Sequence, residues 1–244
     1  MIFNLFNTKK NKHCFAFYNI ENLFDIYNEE HRHDGDFTET SEKRWTLKRY
    51  KNKINKISFA ISKIGLKETK MYPALIGLAE VENEAVLKDL IKHENLKDCN
   101  YSFVHYNSKD ERGIDVAFIY DTKRFSVLNS KVHSILLHDE DGDVDYTRDV
   151  LHIYGTFLGE KIDVIVNHWP SRRDGNNETS KKRMIASNKV AEVITGIRLK
   201  NNDAKIVVMG DFNDDPSSES IKSLVDNNQL FNPMDTLLSI DRGT

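Results

Sequence analysis

The sequence predicts an α+β sandwich, with two sheets packed face to face and helices outside. Three observations carry that prediction. Several stretches repeat apolar residues at helical spacing, others alternate or run apolar at strand length, and the long helices are separated by runs of strands. A chain of 244 residues with 39% hydrophobic and 10% aromatic content can bury a sizeable core as one unit.

Residues 13–19 alternate and predict a strand. Residues 42–65 predict a helix, because Tyr50, Ile54, Ile57, Ile61 and Ile64 step by four and three along one face, and Gly65 supplies its C-terminal cap. Residues 73–79 form a continuous apolar run, the pattern of a strand covered on both faces. A second helix is predicted over 83–94, with Asn83 as N-cap. Strands are predicted over 101–106, 114–120, 125–137, 150–157 and 161–167. Residues 178–200 predict a third long helix with Val190, Ile194 and Ile197 on one face. A strand over 205–209 and a short helix over 217–226, after Pro216, follow. No internal repeat and no Pro/Gly/Ser-rich linker interrupts the chain, so one domain over 1–244 is expected.

Bulk properties exclude several classes. The formal net charge is −3, so there is no global basic excess for nucleic acid, and any such contact must rely on a local patch, with or without a metal. Cys14 and Cys99 lie far apart without metal-type spacing and read as reduced packing residues. The amino terminus has a short hydrophobic start ahead of its lysines, the inverse of a signal peptide. No window approaches the roughly 18 apolar residues that a membrane span needs. A cytoplasmic protein is the expectation.

The chemistry collects at strand ends. Gly210-Asp211-Phe212-Asn213-Asp214 follows the last strand, where the glycine allows a sharp bend and Asp211 and Asn213 then project. The first strand ends at Asn19, the second at Glu80, and a middle one at Asn167-His168. Separate strands thus deliver carboxylate, amide and imidazole at their C-terminal ends, where rigid elements fix geometry. Glu80, Asn19, Asp211 and Asn213 offer the hard oxygens that Mg²⁺ prefers, and no thiolate or His-rich set suggests zinc. His168 is a candidate general acid or base. Arg148 and Arg172 suit bidentate phosphate contacts.

Each residue taken alone has a plainer reading. Glu80 could be a strand-end or first-turn carboxylate, His168 a hydrogen-bonded neighbour of Trp169, Asn19 a strand cap, and Arg148 a surface partner of Asp145 or Asp149. Asp139, Asp141 and Asp143 alternate as in a calcium loop. Val144 takes the place of the required glycine and no glutamate stands twelfth, so a solvated hairpin loop is the better reading. His31-Arg32-His33-Asp34-Gly35-Asp36 reads as a mobile loop near the site, and residues 48–56 as a solvated helix face.

The set resembles the endonuclease/exonuclease/phosphatase superfamily, the deoxyribonuclease-I-like fold. The matching stretches are Tyr18-Asn19-Ile20-Glu21-Asn22-Leu23-Phe24, Ala79-Glu80-Val81-Glu82-Asn83, Thr147-Arg148-Asp149, Asn167-His168-Trp169-Pro170-Ser171-Arg172 and Gly210-Asp211-Phe212-Asn213. They occur in the family's order over about the whole chain. The resemblance implies a four-layer αββα sandwich of two mostly antiparallel sheets. It implies hydrolysis of phosphodiester bonds with Mg²⁺ or Mn²⁺, nuclease-like, with nucleic acid as the substrate. In that reading Glu80 is the principal metal ligand with Asn19 beside it. His168 matches the first of two catalytic histidines, and Asp211 and Asn213 orient the attacking water and the phosphate. Arg148, Asn167 and Arg172 contact substrate phosphate. The family closes with a Ser-Asp-His-like motif on a final strand, and none follows Asn213 here. A C-terminally incomplete fold with an uncovered sheet edge is therefore expected. Two rivals stay open. One is a phosphatase or phosphodiesterase acting on small molecules or lipid headgroups. The other is a non-catalytic phosphate-binding module.

Overall fold

The structure is a computed structural model that describes residues 12–27, 35–138, 141–172 and 176–236, with backbone alone at 176–178. In chain order the elements are β1 (Phe15–Leu23), α1 (Leu47–Lys63), α2 (Leu66–Thr69), β2 (Leu75–Val81), α3 (Glu84–Lys92), β3 (Tyr101–His105), β4 (Asp115–Asp121), β5 (Phe125–His133), β6 (Leu136–His138), β7 (Val144–Tyr146), β8 (Val150–Phe157), β9 (Glu160–His168), α4 (Asn176–Arg198), β10 (Ile206–Asp211) and α5 (Glu219–Asn227). Residues 31–34 of the histidine-rich loop lie outside the described residues, as do Asp139 and Glu140 of the acidic stretch.

One sheet has the order β1-β2-β4-β3 and the other β10-β9-β8-β5. Each contains one parallel pair, β1 with β2 and β10 with β9, and its remaining pairs are antiparallel. A parallel pair needs a crossover, and α1 and α4 supply it. The two crossover units are therefore built alike.

Alternation along the strands explains the layers. On β2, Ile76 and Leu78 face a core shared with Tyr50, Ile54, Ile57 and Ile61 of α1 and Leu87 and Leu90 of α3. Leu75 and Ala79, on the opposite face, meet Ile153, Val164, Val166 and Met209 of the second sheet. Ile165 of β9 turns outward to Ala186, Val190 and Ile194 of α4 and Leu224 of α5. Three apolar interfaces thus separate four layers, in the order α, β, β, α. The continuous apolar run at 73–79 reflects this cover on both faces.

The helix limits follow from capping. Thr46, whose side chain accepts from the Arg49 amide, starts α1 at Leu47, later than the periodicity predicts. Gly65 beyond its end is left-handed, with φ 64°. Asn83 caps α3 by accepting from the Ala85 and Val86 amides. The strand predicted over 125–137 is two strands. β5 ends at His133, Ile135 turns into the outer core, and Leu136 pairs with Tyr146 of β7 instead of with β8. β6 and β7 flank the acidic stretch as a two-stranded ribbon, with Gly142 at φ 87° in its turn. Cys14 and Cys99 are free and buried. Among the described residues, no helix is long and apolar enough to cross a membrane, and the outer edge of β10 has no strand beside it.

Candidate active site

β1 and β2 end irregularly, and the irregularity aims the site. The pairing of β2 shifts register between Ala79 and Val81 on both of its sides. Glu80 sits in that bulge with φ 67°, the left-handed region that a non-glycine residue occupies at a cost of about 1–3 kcal/mol. β1 shifts between Asn19 and Leu23, with Glu21 at φ 54° and Asn22 at φ 60°. Asn213, past the end of β10, is left-handed as well, at φ 50°. Four of the nine positive-φ non-glycine positions among the described residues, Glu21, Asn22, Glu80 and Asn213, thus stand at the strand ends that carry the polar side chains.

Four of those ends touch. The Asn19 amide nitrogen Nδ2 donates to Glu80 Oε1 at 3.2 Å and to Asp211 Oδ2 at 2.9 Å. The amide oxygen accepts from the Glu21 N–H at 2.9 Å. His168 Nε2 lies 3.8 Å from Glu80 Oε1. Asp211 Oδ1 accepts from the Asn213 N–H at 3.0 Å. One amide from the first sheet thus bridges a carboxylate of its own sheet and one of the other.

His168 is only 3% exposed. Burial first, then the charges of Arg148 and Arg112, hold its pKa well below the usual histidine value, so the ring is neutral near pH 7. Its Nδ1 is buried without a hydrogen-bond partner, while Nε2 is the nitrogen near Glu80. The backbone behind it is fastened. Trp169 N–H donates to Asp211 O at 2.9 Å, and Trp169 O accepts from Arg148 Nη2 at 3.2 Å and from Asn213 Nδ2 at 2.9 Å. The Trp169 ring meets Phe212 edge-on, with centroids 4.8 Å apart.

The remaining predicted site residues stand around this cluster. Asn167, 1% exposed, donates to Met209 O. Arg148 is buried in an ion pair with Asp110 at 3.1 Å. Arg172 is on the rim, donating to Asn213 O and pairing with Asp214 and Asp215. Gly210 serves close approach rather than a bend. A Cβ there would lie 2.5 Å from the Asn167 carbonyl oxygen on β9.

Three residues near the site were not singled out by sequence. Lys53 of α1 donates to Glu21 O at 2.7 Å. Arg112, between β3 and β4, donates to Asn22 Oδ1 at 2.9 Å, and Asp110 partners Arg148. Lys53 is hidden in a lysine-rich helix face, and Asp110 and Arg112 in a polar loop, so no local pattern marks them.

The donors present fit a hard divalent cation. Glu80 and Asp211 turn carboxylates toward the Asn19 NH₂, while the Asn19 oxygen, expected as a ligand from the sequence, accepts from the Glu21 N–H instead. Among the described residues no group of three or more His, Cys, Asp or Glu is arranged to hold a metal. A site with few protein oxygens suits Mg²⁺ or Mn²⁺, which keep waters and take phosphate oxygens, better than it suits zinc.

Among solved structures, a hairpin-deletion mutant of β-toxin from Staphylococcus aureus is similar over 91% of this chain and 75% of its own, with 13% identity and a TM-score of 0.59. The mannosyl-6-phosphatase of Bacteroides thetaiotaomicron shares 15% identity over 87% and 69%, with a TM-score of 0.54. The human Nocturnin catalytic domain with bound sulfate shares 19% identity over 70% and 63%, with a TM-score of 0.53. The chain spans less than two thirds of the length of that domain. At these identities the likeness speaks for the fold. A search among curated proteins returned no significant match. A family model described as Endonuclease/Exonuclease/phosphatase family matches residues 14–244. That span includes all four converging strand ends and nearly every described residue, and the chain belongs to the endonuclease/exonuclease/phosphatase family.

Proposed function

We infer that this protein is a metal-dependent hydrolase of phosphodiester bonds, nuclease-like in its chemistry. The observation that carries the reading is the contact of Asn19, Glu80, His168 and Asp211 at four strand ends, with Glu80 held in strained backbone. Strain that packing maintains at a polar cluster is typical of working sites.

Glu80 would hold Mg²⁺ or Mn²⁺, with the Asn19 NH₂ orienting its carboxylate and that of Asp211. When bound, the ion supplies positive charge opposite the phosphate and leaving oxygens. Asp211, fixed by the Asn213 N–H and the Asn19 amide, accepts a hydrogen bond from the attacking water and orients it toward phosphorus. His168, neutral and nearly buried, donates through Nε2 to a phosphate oxygen as charge builds there. Its lowered proton affinity favours this role over that of an acid charged before the reaction. Asn213 and Arg148 hold the Trp169 carbonyl and so keep His168 in place. Arg172 is the exposed cation of the rim and the candidate for a flanking phosphate.

The test is nicking of supercoiled plasmid with Mg²⁺ or with chelator, beside hydrolysis of bis(p-nitrophenyl) phosphate. Glu80→Ala, His168→Ala and Asp211→Ala are each expected to lower turnover at least about 100-fold while remaining folded. Near-normal rates in all three would remove the reading. The net charge of −3 favours a small diester over duplex DNA. Steep loss of plasmid nicking with salt, while the small diester is unaffected, identifies nucleic acid as the substrate.

A further inference from the structure

We propose that Lys53 is a positioning residue that sets which edge of the Asn19 amide faces the reacting cluster; this rests on the hydrolase reading above. The connection runs through the β1 bulge. Lys53 Nζ donates to Glu21 O at 2.7 Å, and the N–H of the same residue donates to Asn19 Oδ1 at 2.9 Å. With its oxygen so engaged, Asn19 turns its NH₂ to Glu80 and Asp211. The opposite orientation would set the amide oxygen against two carboxylates and its NH₂ against a backbone N–H.

The bulge would not hold this shape by itself. Glu21 and Asn22 are consecutive left-handed residues, at φ 54° and 60°, and each costs energy in that conformation. Two cations from different elements secure them: Lys53 from α1 at the Glu21 carbonyl, and Arg112 from the β3–β4 loop at Asn22 Oδ1. Lys53 flanks the apolar stripe of Tyr50, Ile54 and Ile57 and is not among the buried residues of α1. Burial lowers its pKa, while the carboxylates of Glu21 and Glu80 act in the other direction and favour the ammonium form.

The experiment follows the Asn19 side-chain NH₂ resonances in isotope-labelled protein, assigned by their loss in Asn19→Ala. In Lys53→Met both resonances are expected to move and their hydrogen exchange to speed by about tenfold. Lys53→Arg, which can still donate to the Glu21 carbonyl, restores them. With bis(p-nitrophenyl) phosphate, kcat of Lys53→Met is expected to fall about tenfold with KM within about twofold, the size of effect that orienting partners have. Arg112→Met, which removes the second support of the same bulge at Asn22 Oδ1 without touching α1, should move the same resonances. Asn19 resonances that stay in place in folded Lys53→Met overturn the proposal, and so do unmoved resonances in Arg112→Met if Lys53→Met does not fold. A wild-type protein that cleaves neither substrate removes the hydrolase reading instead, and the resonances still decide the role of Lys53.

Discussion

Glu80 shows a conflict between folding and chemistry within one residue. Its left-handed backbone would suit glycine, and its carboxylate faces that of Asp211 across the Asn19 amide. Glu80→Gly is expected to raise stability by about 0.5–1 kcal/mol through relief of strain and charge repulsion, while turnover is lost. Urea unfolding beside a phosphodiesterase assay checks this, and a destabilised Glu80→Gly protein would contradict it. At this scale the sequence was informative about residue type and silent about conformation. The positions of Asn19, Glu80, His168 and Asp211 follow from where apolar runs stop. Nothing local announces φ 67° at Glu80, because the bulge results from pairing with β1 and β4 on either side.

The parallel pair of β9 and β10 depends on one small residue. Met209 pairs with Val166, Gly210 with Asn167 and Asp211 with His168, so the catalytic candidates are neighbours in register. Gly210→Ala places a methyl 2.5 Å from the Asn167 carbonyl, and backbone cannot yield as a flexible side chain would. A loss of about 1–3 kcal/mol in denaturant midpoint analysis is expected, together with reduced kcat, because His168 and Asp211 are pushed apart. Elements whose pattern is complete in sequence were legible, such as the stripe of α1 and the Asn83 cap of α3. Elements that depend on distant partners were not. The chain between Phe125 and Leu137 is apolar enough for one strand, yet β8 pairs it only as far as His133 and β7 takes Leu136. The Lys53 ammonium belongs to a charged run that suits a solvated surface, and only the fold brings it to Glu21.

At the scale of the molecule, acid should weaken the second half of the sandwich. His133, where β5 ends, stacks on His152 with ring centroids 6.0 Å apart. Burial, then Lys131, His152 and Lys189, push its pKa down to about 4, with Glu192 opposing. An unfolded histidine titrates near 6.5. Between those values the unfolded chain accepts a proton that the folded one refuses, so stability falls as pH drops from about 6.5 to about 4 and levels off below. After allowance for solvent screening the effect is on the order of 1 kcal/mol. His133→Gln should flatten that part of the stability–pH curve by the same amount, and an unchanged slope would count against the assignment.

The bond between Asn19 and Asp211 joins positions 192 apart in the chain. Closing a loop of that length is slow and comes after local structure has formed. During synthesis, a nascent polypeptide ending before β10 can carry a finished first layer of strands yet possess no competent pocket. Chemistry is withheld until the two halves dock, so activity reports on completion of the tertiary structure rather than on the amount of secondary structure present.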